Sequence, residues 1–114
     1  PRAALRERWQ SLPERVRHLP VPSRVILSNR ISSTHTVIEV NGRDMPGLLH
    51  RLTRTLAELG LQIQTATVST YGERVVDVFY VKDLFGLQVH NEARLTTIRD
   101  RLLEVFDQVG EAAE

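Results

Sequence analysis

Hydrophobic and polar residues alternate over most of residues 36–41, TVIEVN. Thr36, Ile38 and Val40 fall on one side of an extended chain, and the side chains between them fall on the other. This alternation predicts a β-strand with one face turned toward a core. A shorter apolar segment, VIL at 25–27, predicts another strand before it.

The hydrophobic period changes after this strand. In PGLLHRLTRTLAEL (46–59), Leu52 and Leu56 belong to an apolar stripe with helical spacing. We expect Pro46 to take the first helical position, where its missing N–H costs nothing. Gly60 is expected to end the helix in a left-handed conformation.

The following segment, LQIQTATVSTYGERVVDVFYV, predicts two strands joined by a turn at Gly72. Ile63 and Val68 are separated by an odd number of residues, so strict alternation fails in the first of these strands. A β-bulge near Thr65 or Ala66 would place both apolar side chains on one face.

The second strand of this pair has two largely apolar faces, so both faces are expected to be covered. One face carries Val75, Asp77, Phe79 and Val81, and the other carries Val76, Val78 and Tyr80. The apolar spacing of the segment NEARLTTIRDRLLEVFDQV (91–109) predicts a last helix, with Asn91 as its N-terminal cap.

These elements follow the order β-β-α-β-β-α and predict an α+β domain. We expect a four-stranded antiparallel sheet with two helices on one face, the strand at 25–27 filling the vacant edge. The opposite face, to which we assign Val37 and Val68, would need a partner. The predicted divisions are a helical or extended leader at 1–22, the domain at 23–108 and a flexible tail at 109–114.

Composition excludes several classes of function. The formal net charge is +1 and there is no cysteine, so neither nucleic-acid binding nor thiol chemistry is favoured. No apolar segment is long enough to span a membrane. The chain begins at Pro1, and we expect a fragment of a longer protein.

No catalytic or metal-binding pattern is present. The four histidines lack the spacing of a helical metal site, and no nucleophile elbow or phosphate-binding glycine loop occurs. Asp44, Asp77 and Asp83 are not paired along the sequence for acid–base work. Asp77 is interpreted as a sheet residue that is hydrogen-bonded to a neighbour or lies in a partner contact.

The strongest candidate for a binding site is the loop that enters the first helix. It comprises Asn41, Gly42, Arg43, Asp44, Met45, Pro46, Gly47, Leu48 and Leu49. Unpaired N–H groups at a helix start attract a carboxylate, Asp44 can bind an ammonium group, and Gly47 allows close approach. Together they would suit an α-amino acid. The alternative is that these residues have only structural roles. Asp44 would then be a helix cap, Pro46 the first helical residue, and Gly47 a residue required only for its small size.

This loop also resembles the D-x-P-G-L-L turn of ACT domains, which are small regulatory modules with a ferredoxin-like fold. The longer run GERVVDVFYVKDLFG resembles the C-terminal ACT region of the bifunctional enzyme family that uridylylates and deuridylylates the PII signal protein. The resemblance extends from about Ser23 to Phe106. Family members often have arginine where this chain has Met45, which weakens any role for that side chain.

The resemblance implies a glutamine-sensing regulatory domain in the control of nitrogen metabolism, within a cytoplasmic enzyme. The nucleotidyltransferase and hydrolase domains, with Mg and UTP, would lie elsewhere in the parent chain. No cofactor is therefore expected in this fragment, which would not itself be an enzyme. PII would be reached through the parent enzyme.

ACT modules commonly pair, with the ligand at the junction between two copies. The partner could be a second chain or a second ACT domain. The strand after the first helix would supply the other side of the site, through Gln62, Gln64, Thr65 and Thr67. The alternative function is an interaction module that docks on catalytic domains or on PII and binds no small ligand.

Overall fold

A computed structural model describes the backbone of residues 21–113 and the side chains of residues 21–110. Most of the predicted leader therefore lies outside the described residues. The elements are β1 (Arg24–Ser28), β2 (Thr36–Arg43), α1 (Leu48–Glu58), β3 (Gln62–Tyr71), β4 (Arg74–Lys82) and α2 (Glu92–Ala113).

The four strands form one antiparallel sheet in the order β1-β2-β4-β3. The N-terminal strand β1 lies at the edge beside β2, as the sequence predicted. The element order and the α+β ferredoxin-like class are confirmed. The two central strands are β2 and β4, and each has a neighbour on both sides.

The core lies between the sheet and the two helices. On the helix-facing side of the central strands, Ile38 is opposite Phe79, and both are fully buried. Leu52 of α1 and Leu102 of α2 are also fully buried in this cluster. The helical stripes predicted from the apolar spacing therefore face the sheet.

A bulge interrupts the pairing of β3 with β4. The register shifts between Ile63 and Thr65, so the extra residue is Gln64, one residue before the predicted position. Ile63 and Val68 then share the helix-facing side of the sheet, since they pair with core residues of β4. The assignment of Val68 to the opposite face was therefore wrong, although the bulge itself is confirmed.

The start of α1 differs from the prediction. The helix begins at Leu48, and Gly47 is its N-cap with φ 80° and ψ 0°. The amide of Leu48 donates to the carbonyl of Met45 at 3.1 Å, which closes a turn with Pro46 and Gly47 at its centre. A left-handed glycine after proline is typical of a type II turn. Pro46 is therefore a turn residue and not the first residue of the helix.

The last helix begins as predicted and ends later. The side chain of Asn91 accepts a hydrogen bond from the amide of Arg94 at 2.9 Å, which confirms the cap. At the other end, α2 continues to Ala113, and Val109 is buried. The predicted helix ended at Val109, so the observed helix is longer by the four residues 110–113. Neither described helix is long and apolar enough to cross a membrane.

Gly42 of β2 packs directly against a side chain of α2. A Cβ atom at this position would overlap Cε1 of Phe106, a side chain that is itself buried. The ring of Phe106 thus occupies the space that a side chain in β2 would need. This contact fixes the position of α2 over the strand end that leads into the 41–49 loop.

We expect Gly42→Ala to lower the free energy of unfolding by about 1–3 kcal/mol, because the added methyl group overpacks the contact. Chemical denaturation measures this loss. Gly110→Ala is the control, since a Cβ there meets nothing within 4 Å, and an alanine within a helix is expected to raise stability. Phe106→Leu should restore part of the loss in the double variant. Equal stability of the Gly42→Ala variant and the unmodified chain would contradict the contact.

Candidate functional site

The loop from Asn41 to Leu49 connects the end of β2 to the start of α1. Asn41 donates from its side chain to a carboxylate oxygen of Glu39 at 2.9 Å, and half-buried Arg43 lies opposite Arg74 in the β2–β4 ladder. Gly42 faces Phe106. These three loop residues are therefore engaged mainly in the sheet and its packing.

The second half of the loop combines core contacts with exposed residues. Met45 packs against the core, and Leu48 is 3% exposed. Pro46 and Gly47 are exposed, and Leu49 is 41% exposed. Small ligands can therefore reach the turn itself, while Leu48 holds it against the core.

Asp44 is exposed and does not cap the helix. Its backbone amide donates to the carbonyl of Glu73 at 2.8 Å, which continues the β2–β4 pairing by one further contact. No side-chain hydrogen bond caps α1. The structural alternative, in which Asp44 serves only as the N-cap, was therefore wrong, and its carboxylate is available for other contacts.

The start of α1 retains unpaired amides. Arg51 donates its amide to the carbonyl of Gly47, whereas the amides of Leu49 and His50 make no hydrogen bond to any described backbone group. Unpaired N–H groups and the helix dipole give this end a partial positive charge. The first turn of α1 contains no acidic side chain that would neutralise it.

Asp77 is the functional candidate that the sequence interpretation underestimated. It lies on the helix-facing side of β4, opposite Val40 on one side and Val68 on the other, and is 2% exposed. Its Oδ1 atom is enclosed and has no hydrogen-bond partner, and no described group donates to its other oxygen. The expected hydrogen bond to a sheet neighbour is therefore absent. The sequence feature that could have identified Asp77 is its position as the only acidic residue within the otherwise apolar segment VVDVF (75–79).

The two acids interact electrostatically. Burial, and to a smaller extent the negative charge of Asp44, raises the pKa of Asp77 from 3.8 to about 6. Asp44 and Asp77 are 33 residues apart in the sequence, yet the fold brings them within range of each other's charge. The sequence analysis considered only pairing along the chain and did not predict this interaction.

Groups that favour opposite charges occur at and near the entry to α1. The amides at the start of α1 favour an anion, whereas Asp44 and Asp77 favour a cation. A zwitterion such as an α-amino acid presents both charges a short distance apart. This corner of the domain is therefore chemically suited to a small zwitterionic ligand.

The predicted partner side of the site lies elsewhere in the same chain. Gln62, Gln64, Thr65 and Thr67 are exposed on β3, the edge strand of the sheet. Gln62 pairs with Lys82, at the end of the β4 strand that is remote from the 41–49 loop. A single chain therefore does not bring the two halves together.

The three histidines that the structure describes do not form a metal centre. Nδ1 of His35 is 2.8 Å from the hydroxyl of Thr34, and its ring meets Tyr80 edge-on at 6.3 Å between centroids. His50 is exposed. Within residues 21–113, no group of three or more potential ligands could hold a metal ion.

The fold and this helix-entry corner define the chain as an ACT domain. The model of the ACR family N-terminal ACT domain matches residues 31–108, and the chain belongs to the ACT domain family. The resemblance inferred from the sequence is thereby confirmed.

Several curated relatives share the name bifunctional uridylyltransferase/uridylyl-removing enzyme. The relative from Rhodospirillum rubrum is 59% identical over 105 residues, which are 92% of this chain and 11% of the relative. The relative from Azospirillum brasilense is 60% identical over 92 residues, which are 81% of this chain and 10% of the relative. The chain thus spans about a tenth of the length of these relatives. No matching solved structure was found.

The raised pKa of Asp77 predicts a specific pH dependence of stability. The folded state holds this proton more tightly than the unfolded state, so protonation stabilises the fold. This stabilisation is complete below pH 3.8 and is lost as the pH rises through about 6. We expect Asp77→Asn, which mimics the protonated acid, to be more stable than the unmodified chain at pH 7.5 by about 2–3 kcal/mol.

Urea denaturation at pH 4 and pH 7.5 measures both stabilities, which should be similar at the lower pH. Asp100→Asn removes the same charge from an exposed position on α2 and serves as the control. A difference between Asp77→Asn and the unmodified chain that does not vary with pH would contradict the burial of an ionisable carboxylate.

Proposed function

We propose that this chain is a regulatory domain that senses an α-amino acid, glutamine, within a uridylyltransferase/uridylyl-removing enzyme. The observation that carries the proposal is Asp77, a buried carboxylate with an unpartnered oxygen, within electrostatic range of Asp44 in the loop before α1. The identity shared with the uridylyltransferase relatives supports the choice of parent enzyme.

The two charges of the ligand would contact different parts of the corner. The carboxylate would accept hydrogen bonds from the free amides of Leu49 and His50. The ammonium group would lie toward Asp44, and its positive charge would offset the repulsion between Asp44 and Asp77. Binding would then favour the ionised form of Asp77. Glutamine as the particular amino acid rests on the resemblance to the ACT region of this enzyme family.

A second ACT unit would complete the site. The polar side chains predicted for the partner side lie on the exposed edge strand β3, away from the 41–49 loop of their own chain. Edge pairing through β3 would bring these residues to the loop of a neighbour and cover Val68, which is 46% exposed. The partner is a second copy or the other ACT domain of the parent.

Regulation requires glutamine to bind two arrangements of the parent enzyme with different affinities. A junction between two ACT units provides such a difference, because the complete site exists only when the units are paired. UTP, Mg and the PII protein would contact the catalytic parts of the parent in the cytoplasm. This domain would transmit nitrogen status to them without taking part in the reaction.

Isothermal titration calorimetry with glutamine tests the proposal directly. We expect saturable heat from the 114-residue chain, and about a tenfold or greater loss of affinity in Asp44→Asn, because a charge-assisted contact to the ammonium group is removed. Stability should change by less than about 0.5 kcal/mol, as for an exposed side chain outside a cap. Asp100→Asn is the matched control and should bind normally.

Two outcomes would oppose this assignment. The absence of heat at millimolar glutamine, with an unchanged melting temperature, would exclude binding by this chain. Equal affinity of Asp44→Asn and the control would remove Asp44 from the site.

A second candidate function, an interaction module, is favoured by the loop after β4. Leu84, Phe85 and Leu87 are 69%, 88% and 62% exposed. The side chain of Asp83 nevertheless holds this loop in a defined shape, since its Oδ1 accepts hydrogen bonds from the amides of Phe85 and Leu87 at 2.9 and 3.0 Å. An ordered loop with exposed apolar side chains is typical of a protein-docking surface.

The two candidates differ in their response to glutamine. A domain that only docks would release no heat with glutamine, and its contacts in the parent would be unaffected by the amino acid. Crosslinking in the parent enzyme, with and without glutamine, separates these cases.

Pairing through β3 generates a further prediction. We expect Val68→Lys to prevent association of the chain and to abolish glutamine binding together, because a lysine on this strand would place a charge in the interface. Sedimentation equilibrium measures the mass, and calorimetry measures the binding. Ile31→Lys, at a residue that is 66% exposed in the β1–β2 connection, is the control. A monomeric variant that still binds glutamine would contradict a site shared by two units.

A further inference from the structure

The two helices enclose a polar cleft on the side of the domain formed by α1 and α2. This arginine cleft has a volume of about 190 Å³ and is lined chiefly by Arg51, Arg54, Glu58, Arg101 and Gln108. None of these residues belongs to the 41–49 loop. The cleft is therefore separate from the proposed amino-acid site.

The charge of the cleft is strongly positive. Three guanidinium groups face one carboxylate, that of Glu58. Glu58 contacts two of them, with Oε1 3.2 Å from Nε of Arg54 and Oε2 3.3 Å from Nη2 of Arg101. The single acid thus holds arginines from both helices at the cleft and leaves a net positive charge.

Most of the hydrogen-bond donors in the cleft meet no acceptor among the residues that the structure describes. Each guanidinium group carries five N–H donors, of which Arg54 and Arg101 each direct one nitrogen toward Glu58. The side chain of Arg51 makes no ion pair or hydrogen bond with any described residue. The cleft therefore offers convergent donors without enough acceptors.

We propose that the arginine cleft binds a phosphate-type dianion. Guanidinium groups match the geometry of phosphate oxygens and form paired hydrogen bonds with them. A dianion would balance the excess positive charge of the three arginines over Glu58. The ion pairs to Glu58 are exposed and contribute little by themselves, so they present no large barrier to rearrangement around the anion. This proposal goes beyond amino-acid sensing and does not depend on it.

The test uses the complete 114-residue chain and follows backbone amide shifts by NMR at constant ionic strength, with chloride as the balancing anion. Fixed ionic strength removes general screening as a cause of the shifts. Inorganic phosphate is titrated first and adenosine triphosphate second. We expect saturable shifts confined to α1 and α2 around the cleft.

The variants identify the contacts. Arg51→Gln and Arg101→Gln should each weaken phosphate binding by about tenfold or more, because each removes charge-assisted hydrogen bonds. Arg99→Gln removes the same charge from an exposed position on α2 outside the cleft lining and should change the affinity less than twofold. Circular dichroism checks that all three variants retain their helices.

Each outcome has a defined meaning. Tighter binding of adenosine triphosphate with the same sensitivity to the variants would support a phosphorylated small molecule as the occupant. Equal affinity for the two ligands would support free phosphate. The absence of saturation with both ligands would overturn the proposal, as would equal losses in Arg51→Gln and Arg99→Gln.

Discussion

Pairing between the two central strands, β2 and β4, determines the arrangement of the rest of the domain. Its register places Ile38 opposite Phe79, and Val40 opposite Asp77, on the face that the helices cover. Because strand side chains alternate, a shift of one residue would turn this whole set to the other face. The same ladder ends at Gly42, where Phe106 packs and the loop toward α1 begins. Core, helix position and candidate site therefore all depend on one register.

Much of this arrangement could be predicted from the sequence, because short-range patterns determine it. Alternation over 36–41 and the leucine spacing in α1 indicated elements that the structure contains. The odd separation of Ile63 and Val68 predicted a bulge, which lies at Gln64. The vacant sheet edge and the short apolar segment at 25–27 together predicted the position of β1. Each of these inferences needed only the periodicity of a strand or helix and the requirement that a sheet be completed.

Features that depend on contacts between distant segments were not predictable in the same way. The proline–glycine pair was compatible with either a helix start or a turn, and the turn formed because Gly47 adopts φ 80°. Proximity of Asp44 to Asp77 requires the β2–β4 register and the path of the loop, neither of which is encoded locally. The arginine cleft likewise combines residues of two helices that are far apart in the sequence.

Asp77 is a buried carboxylate in a position where an apolar residue would make the folded domain more stable. Its neighbours across the ladder are Val40 and Val68, and a valine in its place would complete an apolar face without burying a carboxylate. The buried charge destabilises the folded domain at neutral pH, since burial raises the pKa of Asp77 to about 6. A cation bound nearby would reduce this cost and would thereby stabilise the fold in proportion to its own binding. A residue that breaks the apolar pattern of its strand at a cost in stability is the kind of local exception expected at functional sites.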